Sequence, residues 1–259
     1  AKIINAQHAM LEVNALIDAP QVSFNASQMY QQKLPIGPIR FEHVSAKQTG
    51  AKLSDINIEI PSGSIVNVTS NPLTHASLML SSIGAFHQVN QGQITIAGIA
   101  LNEHVGFEFR QSISYVPPWA TLLSGSILEN MTLFRHEREA YAMELADKLG
   151  LSATIAQLPA GYQTLVANNN SQMLNKGAIK LISLVRALSQ SPSILLLDQP
   201  MVSLDADSQH RLLALLQEYR GEMTIIIASY FDEIEQLSDF CIDISQHGHA
   251  TLVNKPGAN

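Results

Sequence analysis

The chain is 259 residues long, 46% hydrophobic and 14% charged, with a net charge of -7. That length and composition exclude a disordered chain and allow one large or two small domains with a substantial core. The acidic balance argues against a nucleic-acid binder, which needs a basic face to neutralise phosphate, and a single cysteine, Cys241, excludes an internal disulfide, as fits a cytoplasmic setting.

Ala9 to Pro20 carry helical apolar spacing closed by a proline. No run reaches the roughly 18 uninterrupted apolar residues of a membrane span, and no signal peptide is visible. Leu34-Pro35-Ile36-Gly37-Pro38 marks an irregular passage. Strand-like patterns follow over Ile39 to Val44, Ile56 to Ile60, Ile65 to Thr69 and Gln93 to Ile96, with turns at Pro61-Ser62-Gly63 and Asn90-Gln91-Gly92. From about 119 to 190 the period turns helical, with amphipathic stretches over Glu137 to Leu149, ended by Gly150, and over Gly177 to Ser189. Ser193 to Leu197 then reads as a buried strand ending at Asp198, and Thr224 to Ser229 reads as another after a helical stretch. This strand, helix, strand rhythm is that of a parallel α/β sheet.

The order of these segments, from about residue 39 to about 250, resembles the nucleotide-binding domains of ABC transporters. The resemblance rests on Ile113 to Asn130, on Gly161-Tyr162-Gln163-Thr164, and on Leu184-Val185-Arg186-Ala187-Leu188 leading into Asp198. The form Leu123-Ser124-Gly125-Ser126-Ile127-Leu128-Glu129-Asn130 is similar to the exporter branch, type I protein-secretion exporters in particular. The resemblance implies an α/β fold: an ABC-type P-loop NTPase-like core over 39–250, with an antiparallel β subdomain and a helical subdomain near 119–190. Residues 1–38 then read as a linker from a preceding transmembrane domain and 251–259 as a tail, which implies the cytoplasmic part of a longer membrane protein. A free-standing subunit with a short N-terminal helix is the other reading.

The family's phosphate loop needs glycines for close backbone approach and a lysine for the terminal phosphates. By the resemblance that loop is Ser70-Asn71-Pro72-Leu73-Thr74-His75-Ala76-Ser77. Ser70, Leu73 and His75 stand in place of the glycines, Ala76 in place of the lysine, and Pro72 removes an N–H donor. His75 reads as a partly exposed loop histidine. Ser77 reads either as a magnesium ligand or as a serine at a helix N-terminus. Gln48 takes the aromatic position that stacks on adenine.

Asp198 stands where the family's carboxylate orients magnesium. Gln199 replaces the glutamate that polarises water, and an amide cannot serve as a general base. Tyr230 stands for the γ-phosphate histidine, and Pro118 for the glutamine that links metal site to transmembrane domain. Leu174-Asn175-Lys176-Gly177-Ala178 replaces the signature Leu-Ser-Gly-Gly-Gln. Ser203-Leu204-Asp205 keeps the loop that joins two motor domains, and Arg186 keeps the helix below the signature; dimer contact and plain fold support both fit these.

The implied role is a catalytically inactive motor domain at the cytoplasmic face of the membrane. It would bind no cofactor tightly, with ATP and magnesium the ligands if any, and would receive a transmembrane domain and pair with an intact or identical nucleotide-binding domain. In such a pair Asn175, Lys176 and Gly177 would face a phosphate held by the partner. Two rival readings are an atypical active ATPase that recruits His75 or Lys176, and a scaffold module detached from transport.

Overall fold

The computed structural model describes residues 37–101, 109, 111–166 and 174–254. The expected linker lies outside the described residues apart from Gly37 and Pro38, as does the end of the expected tail, 255–259.

The first half contains β1 (Ile39–Gln48), β2 (Ala51–Ile60), β3 (Ile65–Ser70), α1 (Thr74–Ile83), β4 (Gln91–Ile96) and β5 (Ile99–Ala100). β1, β2, β4 and β5 form an antiparallel sheet in the order β2-β1-β4-β5. Its inward side chains do not alternate evenly: Ile39 and Phe41 are followed by Val44 and Ala46. The phase slips at a bulge, where His43 takes φ 51° and Asp55 on the facing strand takes φ 47°. Gly92 is required opposite, because a Cβ there would lie 2.3 Å from the Glu42 and His43 carbonyl oxygens. β1 runs on to Gln48, and β2 begins at Ala51. Lys47 and Lys52 blur the apolar pattern there, but backbone pairing across the Gly50 turn carries the ladder.

The second half contains β6 (Ile113–Val116), β7 (Gly125–Ser126), α2 (Ile127–Thr132), α3 (Glu139–Lys148), α4 (Leu151–Ala156), β8 (Leu165–Val166) and α5 (Lys176–Ser189). These are followed by β9 (Ile194–Asp198), α6 (Ala206–Glu218), β10 (Thr224–Ala228), α7 (Asp232–Leu237), β11 (Phe240–Ile244) and β12 (Ala250–Asn254). β11, β3, β10, β9 and β6 are parallel neighbours, and β12 closes the sheet antiparallel to β11, past the boundary expected at 250. Every residue of β9 and β10 is buried, as continuous apolar strands of a sheet covered on both faces must be.

Alternation within those strands divides the core. Leu195, Leu197, Ile225 and Ile227 face the helical side with α5 residues Ile182, Leu184 and Val185. Ile194, Leu196, Ile226 and Ala228 face α1 residues Leu78, Met79, Leu80 and Ile83, with the antiparallel sheet beyond. Each such aliphatic side chain contributes about 1.5 to 3 kcal/mol on burial, so the sheet is held from both sides. The mixed α/β fold with an antiparallel sheet is the one expected.

The segment Ser126-Ile127-Leu128-Glu129-Asn130 has a local job. Ser126 Oγ accepts from the Glu129 N–H at 3.1 Å while the Ser126 N–H donates to Glu129 Oε2 at 2.6 Å, a reciprocal cap on α2. Asn130, fully buried, bonds the Leu123 backbone through both ends of its amide. Arg186 of α5 donates to Asn130 O at 2.8 Å, Asn130 Oδ1 at 2.7 Å and Thr121 O at 3.0 Å. The helical segment is thereby tied to the helix that leads into β9.

Candidate functional site

β3 ends at Ser70 and α1 begins at Thr74, so the segment expected to cradle phosphate is only Asn71-Pro72-Leu73. It follows a right-handed path: Leu73 has φ -62° and ψ -13°, and no residue from Ser70 to Ser77 has a positive φ. The loop closes on itself. Ser70 Oγ donates to Pro72 O at 2.8 Å and accepts from the Ala76 N–H at 3.0 Å. The His75 N–H donates to Pro72 O at 3.3 Å, the Ser77 N–H donates to Leu73 O at 3.0 Å, and the Tyr230 hydroxyl donates to Ser70 O. The His75, Ala76 and Ser77 amides at this helix N-terminus are therefore occupied by the chain.

His75 differs from expectation. It is the second residue of α1, 5% exposed, and its Nε2–H donates to Gln246 O at 3.4 Å while Nδ1 has no partner. The turn between β11 and β12 packs over the start of α1 and covers the ring, so it is no exposed cation. Ala76 beside it is fully buried. Gln48 is exposed at the end of β1, and Thr74 Oγ1 ties the adjacent hairpin to α1 by donating to Gly50 O at 2.8 Å.

Asp198 ends β9 with no exposed surface. Its Oδ2 accepts from the Tyr115 hydroxyl at 3.1 Å, and its Oδ1 has no hydrogen-bond partner. Burial raises its pKa above the ordinary carboxylate value, against the opposing pull of Ser77, Tyr115, Lys180 and Gln199. The same burial, with the carboxylate beside it, raises the Tyr115 pKa. Gln199 turns the chain in the left-handed region at φ 50° while its N–H donates to Ala228 O at 3.0 Å.

Lys180 is the unexpected member. It lies on α5, 2% exposed, and Nζ donates to Pro117 O at 3.1 Å and Pro118 O at 2.9 Å. Burial lowers its pKa to about 8, and Asp198 pulls in the other direction. Pro118, expected only as a lost glutamine, thus contributes its carbonyl to hold an ammonium. Sequence reasoning missed Tyr115 and Lys180. A signal for the latter existed: Lys180 stands one turn before Leu184 on the buried face of an apolar helix.

The residues expected as the signature lie elsewhere. Asn175 caps α5, its Oδ1 accepting from the Ala178 N–H at 2.7 Å. A Cβ on Gly177 would lie 2.8 Å from Ser203 O, so that glycine allows close packing against the Ser203 loop. Asp205 caps α6 through the Ser208 N–H at 2.8 Å, and this bond holds its pKa down. Asn175, exposed Lys176, Gly177, Ser203 and Asp205 border one groove of about 510 Å³. The structure brings the expected signature and interface loop together on one surface, apart from the group of Asp198, Ser77, Tyr115 and Lys180.

A magnesium ion needs near-octahedral oxygen coordination. Asp198 Oδ1 has no hydrogen-bond partner and Ser77 is near, Pro118 has no side-chain oxygen, and the Lys180 ammonium is held by the Pro117 and Pro118 carbonyls. Among the described residues no group of three or more His, Cys, Asp or Glu side chains is placed to hold a metal.

The family model "ABC transporter" matches residues 53–202, more than half of the chain. An ATP-dependent lipid A-core flippase of Legionella pneumophila (strain Paris) is 29% identical over 90% of this chain and 40% of its own length. The ABC multidrug transporter mdr4 of Aspergillus fumigatus is 29% identical over 78% of this chain and 16% of its own. The chain thus spans well under half the length of these relatives. The structure of a bacterial Atm1-family ABC exporter with ATP bound superposes with a TM-score of 0.79 at 22% identity, over 96% of this chain and 44% of that one. Among the described residues no helix is long and apolar enough to cross a membrane. The chain belongs to the ABC transporter family, as a nucleotide-binding domain.

Proposed function

We propose that this chain is a pseudo-ATPase: a motor-shaped domain of an ABC exporter that does not turn over ATP and serves as the structural or regulatory member of a motor-domain pair. The observation that carries this reading is the bond from the Ala76 N–H to Ser70 Oγ, which closes the phosphate loop from within. Gln199 in place of a general base and the burial of Ala76 support it.

The partner is an intact nucleotide-binding domain, and the groove beside Asn175, Lys176 and Gly177 is the surface offered to it. The pair serves a transmembrane domain from the cytoplasmic side. A polypeptide cargo, as in type I secretion, follows from the resemblance of the Leu123 to Asn130 segment. A lipid cargo is the second reading, favoured by the lipid A-core flippases among the relatives. Magnesium-dependent phosphate release by the purified chain tests the proposal, with Asp198→Asn as control. No release above the control is expected; turnover abolished by that substitution supports the atypical ATPase instead.

A further inference from the structure

The start of α1 is tied to three remote parts of the chain. The Tyr230 hydroxyl, 160 residues on, donates to Ser70 O. Thr74 Oγ1 donates to Gly50 O in the β1–β2 turn at 2.8 Å, and His75 Nε2–H donates to Gln246 O in the β11–β12 turn at 3.4 Å. The two turns are joined to each other through β2: the Ser54 N–H donates to Gly248 O at 2.9 Å and Ser54 Oγ donates to His247 O at 2.8 Å. α1, the β1–β2 hairpin and the β11–β12 turn therefore form a closed triangle of hydrogen bonds. Gly248 fits its corner with φ 86°, where a Cβ would lie 2.8 Å from Lys52 O. A closed triangle restricts each corner more than a single bond does, because each is held from two sides.

We propose that this triangle, latched by Tyr230, is a conformational lock: it fixes both turns on α1 without a ligand, so the domain keeps one shape with or without MgATP. Thr74 and His75 belong to the segment expected to hold phosphate, and Tyr230 stands at the position expected for the γ-phosphate histidine. Bonds within the chain thus stand where bonds to a ligand were expected. A ligand shifts a conformation only by binding one state better than another, and a lock with one populated state leaves nothing to shift. The inference rests on the pseudo-ATPase reading and adds that the shape this domain offers a partner is set by its own side chains.

Amide hydrogen exchange of the full chain, with and without millimolar MgATP, tests the lock. Thr74→Val, His75→Phe and Tyr230→Phe each remove one donor and keep the side chain's approximate volume. In the unsubstituted chain the amides of 48–51 and 246–249 are expected to be protected without nucleotide and unchanged by MgATP. Thr74→Val is expected to speed exchange at 48–51, His75→Phe at 246–249 and Tyr230→Phe at His75 and Ala76, by about three to ten times each. β9 and β10 stay as slow as before, which separates local release from unfolding. Should His75→Phe fail to fold, Ser54→Ala opens the same triangle at an exposed bond and exchange at 246–249 is read again. A contact whose amides are unchanged by its own substitution, or turns of the unsubstituted chain that slow on addition of MgATP, overturns the proposal. Phosphate release is read separately: turnover with the turns unchanged overturns the pseudo-ATPase reading alone, and turns slowed by MgATP without turnover overturn the lock alone.

Discussion

Ser70 Oγ accepts the Ala76 N–H at 3.0 Å, across Asn71-Pro72-Leu73 and the first two residues of α1. The serine expected in place of a loop glycine thus satisfies a backbone amide at the position expected for the lysine, and a side chain change at 76 alone leaves that bond available.

Ala76→Lys tests this directly. The position is fully buried in the core cluster that also holds Val66, Val68 and Leu80, so a lysine there must displace packed side chains or carry its charge inside. A loss of about 1 to 3 kcal/mol in urea unfolding is expected, with no gain of MgATP heat in calorimetry. Restored binding in this single variant contradicts the closed-loop reading.

Lys180 gives the chain an unusual alkaline response. Its folded pKa is near 8, below the ordinary 10.5, so the unfolded chain binds more protons between those values. Stability therefore rises as pH rises through that window, by on the order of 3 kcal/mol at full deprotonation. Tyr115 and Tyr219, whose pKa values are raised, act in the opposite direction once their unfolded forms ionise near 10. Unfolding measured from pH 8 to 10 isolates the lysine, and Lys180→Met removes the rise.

Much of this was legible in sequence for a physical reason. Ile194 to Asp198 and Thr224 to Ala228 are apolar runs too short and too continuous for an amphipathic surface helix, so a doubly covered strand was the natural reading. The antiparallel strands were caught only in part because the bulge at His43 shifts the side-chain phase midway along β1. The residues of the expected phosphate loop, without glycine or lysine, were visible in sequence, but not the shape of the loop. His75 shows why: its environment is made by Gln246, a residue far along the chain. Lys180 was hidden by the same cause, since its partners are the carbonyls of Pro117 and Pro118, which no side-chain pattern announces.

Arg186 and Asn130 carry the tie between α2 and α5. Asn130→Ala leaves a largely buried guanidinium without its side-chain acceptor and the Leu123 backbone without its partners. A loss of about 2 to 3 kcal/mol is expected, read as a lower urea midpoint. An unchanged midpoint shows that water replaces these bonds.

Gly177 and Lys176 separate fold from partnership. Gly177→Ala presses a methyl group toward Ser203 O and is expected to destabilise by about 1 to 3 kcal/mol. Lys176→Ala touches an exposed side chain and is expected to shift stability by no more than about 0.5 kcal/mol. If the groove beside Lys176 faces a partner's phosphate, Lys176→Ala lowers the partner's ATP affinity while leaving the midpoint unchanged. An unchanged partner affinity makes Lys176 an ordinary surface lysine.

The most direct measurement is calorimetric titration of the purified chain with MgATP to millimolar concentration, paired with a thermal shift, since a ligand bound only by the folded state must raise its stability. The closed loop leads to no saturable heat and no shift. A saturable heat with a matching rise in melting temperature, lost in Asp198→Asn, contradicts it and restores this chain to the nucleotide-binding motors.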